Sequence, residues 1–160
     1  MCMIRRGRPL APFVAGLLGL LALAGCSSRH NLGQARYRTN CGICHHGGEG
    51  MLGEIPPLTG RIDRIARTPE GRHYLVDVLL NGLNGPLLAN GGRYNFSMPS
   101  FHRLSDTEIA AILTYLSASG GQADPPAFAA SDVAAQRAQS LGPSRVADER
   151  RALNHIHPLP

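Results

Sequence analysis

The sequence predicts an all-α fold, a small domain of three to four main helices joined by long loops and followed by a carboxy-terminal extension. Three observations lead there. Ser105 with Glu108 reads as a capping box, and Ile109, Ile112, Leu113 and Leu116 follow it at helical spacing. Thr68-Pro69 places proline at the first position of another helix, which carries Leu75, Val78 and Leu79 on one face and ends at Gly82. Nothing reads as a strand–helix–strand unit, and 19 Gly and 12 Pro in 160 residues point to loops around a modest core. A domain of this size buries barely enough area to offset chain entropy. A large apolar bound group would help to fill it.

Taken from the amino terminus, residues 1–25 read as a lipoprotein signal peptide. Arg5, Arg6 and Arg8 form a positive region, and the apolar stretch from Leu10 to Ala24 is shorter than the roughly 20 residues a bilayer core requires. Leu23-Ala24-Gly25-Cys26 resembles the bacterial lipobox, so Cys26 is expected to carry lipid and become the new amino terminus. The residues beside Arg5-Arg6 do not match the twin-arginine pattern, which leaves the general secretory route. Residues 26–31 would then be a lipidated linker, and the chain would sit on the periplasmic side of a bacterial membrane. Without the signal, 13 Arg face 11 acids, a balance of +2 with no basic run. That excludes nucleic acid as a partner.

The remaining cysteines are Cys41 and Cys44, in Cys41-Gly42-Ile43-Cys44-His45. In an exported chain the pair has three readings: a disulfide, half of a metal site, or the C-x-x-C-H of c-type haem attachment. A zinc site would need a second Cys/His pair, and His73 and His102 stand alone. The haem reading accounts for all five residues, since one helical turn presents two thiols to two vinyl groups and then an imidazole to the iron. Haem iron used for electron transfer usually takes a second protein ligand, and a thioether raises its potential. Met98 lies 53 residues after His45 in a loop stiffened by Pro99 and is taken as that ligand, making His45 and Met98 the metal-binding pair. Met51, six residues after His45, falls on the same side of the ring and reads as a loop residue. His102 is a substitute candidate, and it reads first as an ordinary exposed residue before the last helix.

Three segments, CGICH, IPPLTG and RYNFSMPSF, together give residues 32–120 a resemblance to class I mono-haem c-type cytochromes. The likeness is to cytochrome subunits of periplasmic dehydrogenases and to the c-type domains of cbb-type oxidases. It implies a first helix over residues 32–40 whose Gly33 and Tyr37 let it cross the last helix closely, at Ile112 and Tyr115. It also implies that the Pro56 carbonyl accepts a hydrogen bond from His45 Nδ1, with Pro57 as the competing assignment. Arg61 and Arg93 are candidates to neutralise haem propionates. Tyr94 and Asn95 are candidates to hydrogen-bond a propionate or the Met98 sulfur.

Residues 121–160 lie beyond that core. Gly120-Gly121 and Pro125-Pro126 end the last helix, and Ser131 opens an Ala-rich stretch expected to form one amphipathic turn or two. The stretch resembles a tail on dehydrogenase-linked members, without their Trp-Gly-Asn. His155 and His157 read as residues of a loose terminus. The function expected is single-electron transfer by one covalent haem c, as a membrane-anchored carrier or a subunit of an oxidoreductase complex, not itself an enzyme. Its partners would be a periplasmic dehydrogenase or a terminal oxidase. The alternative is a haem-based sensor or peroxidase with a labile sixth ligand, and a disulfide-linked lipoprotein without haem is a third reading.

Overall fold

The computed structural model describes residues 31–139 and 141–160; the expected signal peptide, Cys26 and the linker through residue 30 lie outside them. Helix α1 occupies residues 31–40. It is followed by α2 (Gly42–His45), α3 (Ile62–Ile65), α4 (Pro69–Asn81), β1 (Leu87–Ala89), β2 (Gly92–Tyr94), α5 (Asp106–Ala118), α6 (Ala130–Arg137) and α7 (Pro143–Ile156). The fold is mostly helical and matches a small class I cytochrome c. No helix among the described residues is long and apolar enough to cross a membrane.

Both helix starts read from the sequence are built as expected. Thr68 Oγ1 accepts the Gly71 N–H at 3.0 Å ahead of Pro69. At α5, Ser105 Oγ accepts from Glu108 N at 3.3 Å while the Glu108 carboxylate accepts from Ser105 N at 2.8 Å. These bonds satisfy amide donors that a helix start otherwise leaves unpaired.

Helices α1 and α5 cross closely, and the reason is Gly33. A Cβ there would overlap the Ala111 carbonyl oxygen and lie 2.8 Å from Tyr115 Cβ. The Tyr37 and Tyr115 rings meet below it, centroids 5.5 Å apart. At Gly33 the close approach falls on Ala111 and on Tyr115, the latter as expected, and Ile112 is fully buried in the core cluster that also holds Tyr37. Helix α4 is buried nearly all round through Tyr74, Leu75, Val76, Val78, Leu79 and Leu80, because other helices cover it on several sides.

Two features depart from the sequence reading. The first is the hairpin β1–β2, with Ala89 opposite Gly92 across the two-residue turn Asn90-Gly91. Both turn residues have positive φ, 47° and 76°, which is why Asn-Gly serves here. The second is the extension, which forms two helices of 8 and 14 residues and buries Phe128, Val133, Val146 and Leu153 in the shared core. It is no loose terminus. Gly142-Pro143 starts α7, and Val146, Arg150 and Leu153 repeat at helical spacing along its buried face.

Candidate functional site

Helix α1 runs almost without interruption into the cysteine motif. Cys41 N donates to Tyr37 O at 2.8 Å, and His45 N donates to Cys41 O at 2.9 Å. Their spacing of four sets Cys41 and His45 on one side of the turn. Both are buried, while Cys44 is exposed and Ile43 is 79% exposed. The two cysteines are free thiols, with no disulfide between them. Burial pushes the Cys41 thiol up to about 11; proximity to Cys44 adds to the rise and Arg103 opposes it.

His45 is fixed by a short loop. Its Nδ1–H donates to the Pro56 carbonyl at 3.0 Å. The loop closes through Leu58 N and Thr59 N, which donate to Gly48 O at 2.7 Å and 3.1 Å. Of the two adjacent prolines, Pro56 faces His45 and Pro57 faces Arg61, whose Nη1 donates to its carbonyl at 2.7 Å. Burial holds the imidazole below its ordinary pKa; the bond to Pro56 opposes this, and Arg61 and His46 reinforce it. A neutral imidazole that donates through Nδ1 keeps the Nε2 lone pair for a metal.

Met98 is held from the other side of the chain. Its backbone pairs both ways with Leu83, Leu83 N to Met98 O at 3.0 Å and Met98 N to Leu83 O at 2.8 Å. Just beyond it, Ser100 Oγ donates to Leu80 O at 2.5 Å and Phe101 N to Leu79 O at 2.8 Å. Four bonds thus tie the methionine loop to the carboxy-terminal end of α4, and Met98 packs half-buried against the core. Met51 pairs with Ile55 in an exposed loop, and His102 is exposed.

The candidate cations separate. Arg93 is exposed on β2, but Arg61 is only 3% exposed and donates through Nε to Pro160 O at 2.8 Å. Burial brings its pKa down to about 10, and the next largest cause is a second guanidinium, Arg150. Arg150 comes from α7 and is 9% exposed. It donates to Tyr74 Oη at 3.2 Å and to Leu88 O at 2.7 Å. Arg150 is in no ion pair with an Asp or Glu among the described residues, whereas Arg61 has an oxygen of the last residue, Pro160, as its acceptor. A cavity of about 810 Å³ opens beside Arg150, walled by Leu83, Leu87, Arg93, Tyr94, Asn95 and Arg150 among others. Tyr94 is buried there.

This donor set fits a c-type haem. Two free thiols and a metal-ready imidazole share one turn, a thioether is held on a separate loop, and one buried guanidinium, that of Arg150, lacks the carboxylate that a propionate would supply. Sequence reasoning missed Arg150 and its partner Tyr74. The signal was present in the helical repeat of Val146, Arg150 and Leu153, which sets an arginine on an apolar face.

Comparison with known proteins agrees with this chemistry. Residues 28–116 match the family described as "Cytochrome C oxidase, cbb3-type, subunit III". A cytochrome c-552 of Thermus thermophilus is 39% identical over 142 residues, covering 86% of this chain and 92% of that protein. A second cytochrome c-552 from the same species is 39% identical over 124 residues, covering 74% of this chain and 95% of the relative. Only 27 residues precede the family match, so the 86% coverage must run past residue 116 into the extension.

Proposed function

The chain belongs to the class I c-type cytochromes and transfers electrons with a covalently bound haem c, and from that premise we propose that Cys41 and Cys44 form the thioethers and His45 and Met98 the axial ligands. The observation that carries this assignment is the 3.0 Å bond from His45 Nδ1 to the Pro56 carbonyl, which orients the ring and leaves Nε2 as its free nitrogen. The bound haem supplies a one-electron iron couple. The chain's own contribution is to fix that couple's surroundings. A carbonyl behind the imidazole makes the ring more electron-rich, and the thioether of Met98 favours the ferrous state. Arg61, with Arg93 and Tyr94, would hold the propionates; burial favours Arg61 as the strongest of these, because low dielectric raises the worth of its charge.

The protein is a carrier or the cytochrome subunit of an oxidoreductase complex, and it exchanges electrons with redox partner proteins such as a periplasmic dehydrogenase or a terminal oxidase. Cys26 anchors it by lipid to the periplasmic side of a membrane. Replacing Cys26 with Ser is expected to move the protein to the soluble fraction with its visible spectrum unchanged; continued membrane association would refute the anchor.

The axial assignment is tested on holoprotein with Met98→Ala. The variant is expected to show a lower midpoint potential, to lose the weak far-red band of sulfur-ligated ferric haem, and to bind cyanide faster. If the unmutated ferric protein lacks that band and binds cyanide as fast as the variant, Met98 is not the ligand. The sensor or peroxidase reading then takes its place.

A further inference from the structure

Directly after His45 the chain reverses at His46, whose φ of 53° and ψ of −128° lie where L side chains rarely go. Such a conformation is costly and persists only where surrounding groups hold it. The His46 side chain is exposed, so its own packing does not hold the turn. Backbone bonds do. His46 N donates to Gly42 O at 3.0 Å, and His46 O accepts from Tyr37 Oη at 2.9 Å. Beyond the reversal, His45 O accepts from Gly48 N at 2.9 Å and from Gly50 N at 3.2 Å. Gly50 in turn backs onto the proline loop, since a Cβ there would lie 2.8 Å from the Pro56 carbonyl oxygen that accepts from His45 Nδ1. Tyr37 stands at the start of this series. It comes from α1, is 2% exposed and has its ring against Tyr115 of α5. Burial pushes its hydroxyl up to about 12, so it keeps the proton it donates at any ordinary pH.

We infer that Tyr37 is a positioning residue for the axial imidazole: its hydroxyl pins the His46 carbonyl and so holds the reversal on which the bond from His45 Nδ1 to Pro56 depends. This rests on the reading that His45 ligates the iron of a haem attached at Cys41 and Cys44. The hydroxyl is placed by the crossing of α1 and α5 that Gly33 permits. Packing between the first and last helices of the cytochrome core thus reaches the ligand through one hydrogen bond. A phenylalanine at 37 would fill the same space against Tyr115 and lose only the pin. An imidazole whose Nδ1–H is held by a carbonyl is the stronger donor and favours ferric iron, so loosening that bond raises the midpoint potential.

The test compares full-length holoprotein with its Tyr37→Phe variant by proton NMR of the ferrous form and by optical redox titration. In the variant the His45 Nδ1–H resonance is expected to move upfield and to exchange with water faster. The Gly48 and Gly50 amides should exchange roughly three- to tenfold faster, about the worth of one hydrogen bond, and the midpoint potential should rise. Thr39→Ala is the control. It removes another hydroxyl-to-carbonyl bond from α1, Thr39 Oγ1 to Ala35 O at 3.1 Å, without reaching the cysteine motif, and is expected to leave all three readings unchanged. A Tyr37→Phe protein that is merely easier to unfold, with a resonance and a potential matching those of Thr39→Ala, overturns the proposal. If Tyr37→Phe yields no holoprotein, His46→Gly is added to it, because glycine takes the reversal unaided. Holoprotein with the unmutated Nδ1–H resonance is then expected, and failure to recover it overturns the proposal. A pyridine haemochrome assay and the ring-current-shifted signals of His45 in the unmutated protein keep the outcomes apart. Absence of either defeats the haem or axial reading and this inference with it, whereas both present beside an unmoved Tyr37→Phe defeat this inference alone.

Discussion

The two parts of this chain are joined to their neighbours by different physics. Across residues 31–118 the helices meet chiefly through apolar side chains and one glycine, with Ile109, Ile112 and Leu113 sealed from solvent and Gly33 set against Ala111. The extension adds Phe128, Val133, Val146 and Leu153 to that core and is also tied to it by arginines. Arg137 donates to Asp106, to His102 O and to Leu104 O, each at 2.7 Å. Arg72 pairs with Asp132 at 3.1 Å, donates to Ala127 O and stacks over the Phe128 ring at 4.3 Å. Arg150 completes the set at Tyr74 and Leu88. Apolar burial is nondirectional and tolerates sliding, whereas a guanidinium fork accepts only one geometry. Apolar area thus holds the core, and the extension adds to its own apolar contacts a set of arginine bonds that fix its register.

That contrast can be broken most forcefully in the core. Ile112→Ala leaves a cavity at a fully buried position and is expected to cost about 2–5 kcal/mol in denaturant unfolding of the holoprotein. Amide protection should fall throughout residues 31–156. Loss confined to one helix would show that α5 is not the common centre of the fold.

A smaller and more local effect is expected at Arg137. Arg137→Ala removes three charge-assisted bonds from a side chain that is 24% exposed, at a cost of about 1–3 kcal/mol. Hydrogen exchange should speed in α6 and α7 while α1 and α5 keep their protection. A uniform loss instead would mean that core and extension unfold as one unit, and the distinction drawn above would fail.

The smallest effect sharpens the comparison by pH. Asp77 on α4 and Glu149 on α7 are raised to about 6 and about 7, in each case chiefly by burial, and Asp77 pushes Glu149 up further. His73 opposes the rise at Asp77, and Arg145 and Asp148 line the same recess. A carboxyl with a raised folded-state pKa suits the fold only while it is protonated. Its contribution is complete below the ordinary carboxyl range and is lost as pH climbs through 6 and 7. Protection factors of α7 amides, taken relative to the base-catalysed exchange of an open chain at the same pH, are therefore expected to be lower at pH 8 than at pH 5, and Glu149→Gln should flatten the difference. Equal protection factors at both pH values in the unmutated protein would remove these carboxyls from the docking of α7.

The same division decides what could be read from the residues alone. The capping box at Ser105, Pro69 at the helix start, the Cys41 to His45 motif and the Pro56 carbonyl are local signals, and each stands in the structure where its spacing put it. The Asn90-Gly91 turn was also local, but strands of three residues are too short to show alternation. Arg150 was hidden for another reason. Its partners are 76 and 62 residues away, so no window of sequence contains both the arginine and what makes its burial tolerable. Helix α7 has little apolar content apart from Val146 and Leu153 on its buried face, and an arginine between them reads as solvated until the hairpin and Tyr74 are folded against it.

The burial of Cys41 carries a consequence for the order in which the protein is made. A thiol with a pKa of about 11 is thiolate in roughly one molecule in ten thousand at neutral pH. The residue is also buried as part of the core cluster. Cys44, exposed on the same turn, has no such shield. On the attachment proposed above, joining Cys41 to its vinyl group is expected to go faster in a chain that is still open than in one where α1 has closed over α5. A chain that closes first presents only Cys44 of the two as an exposed sulfur, so slower folding is expected to raise the yield of finished cytochrome.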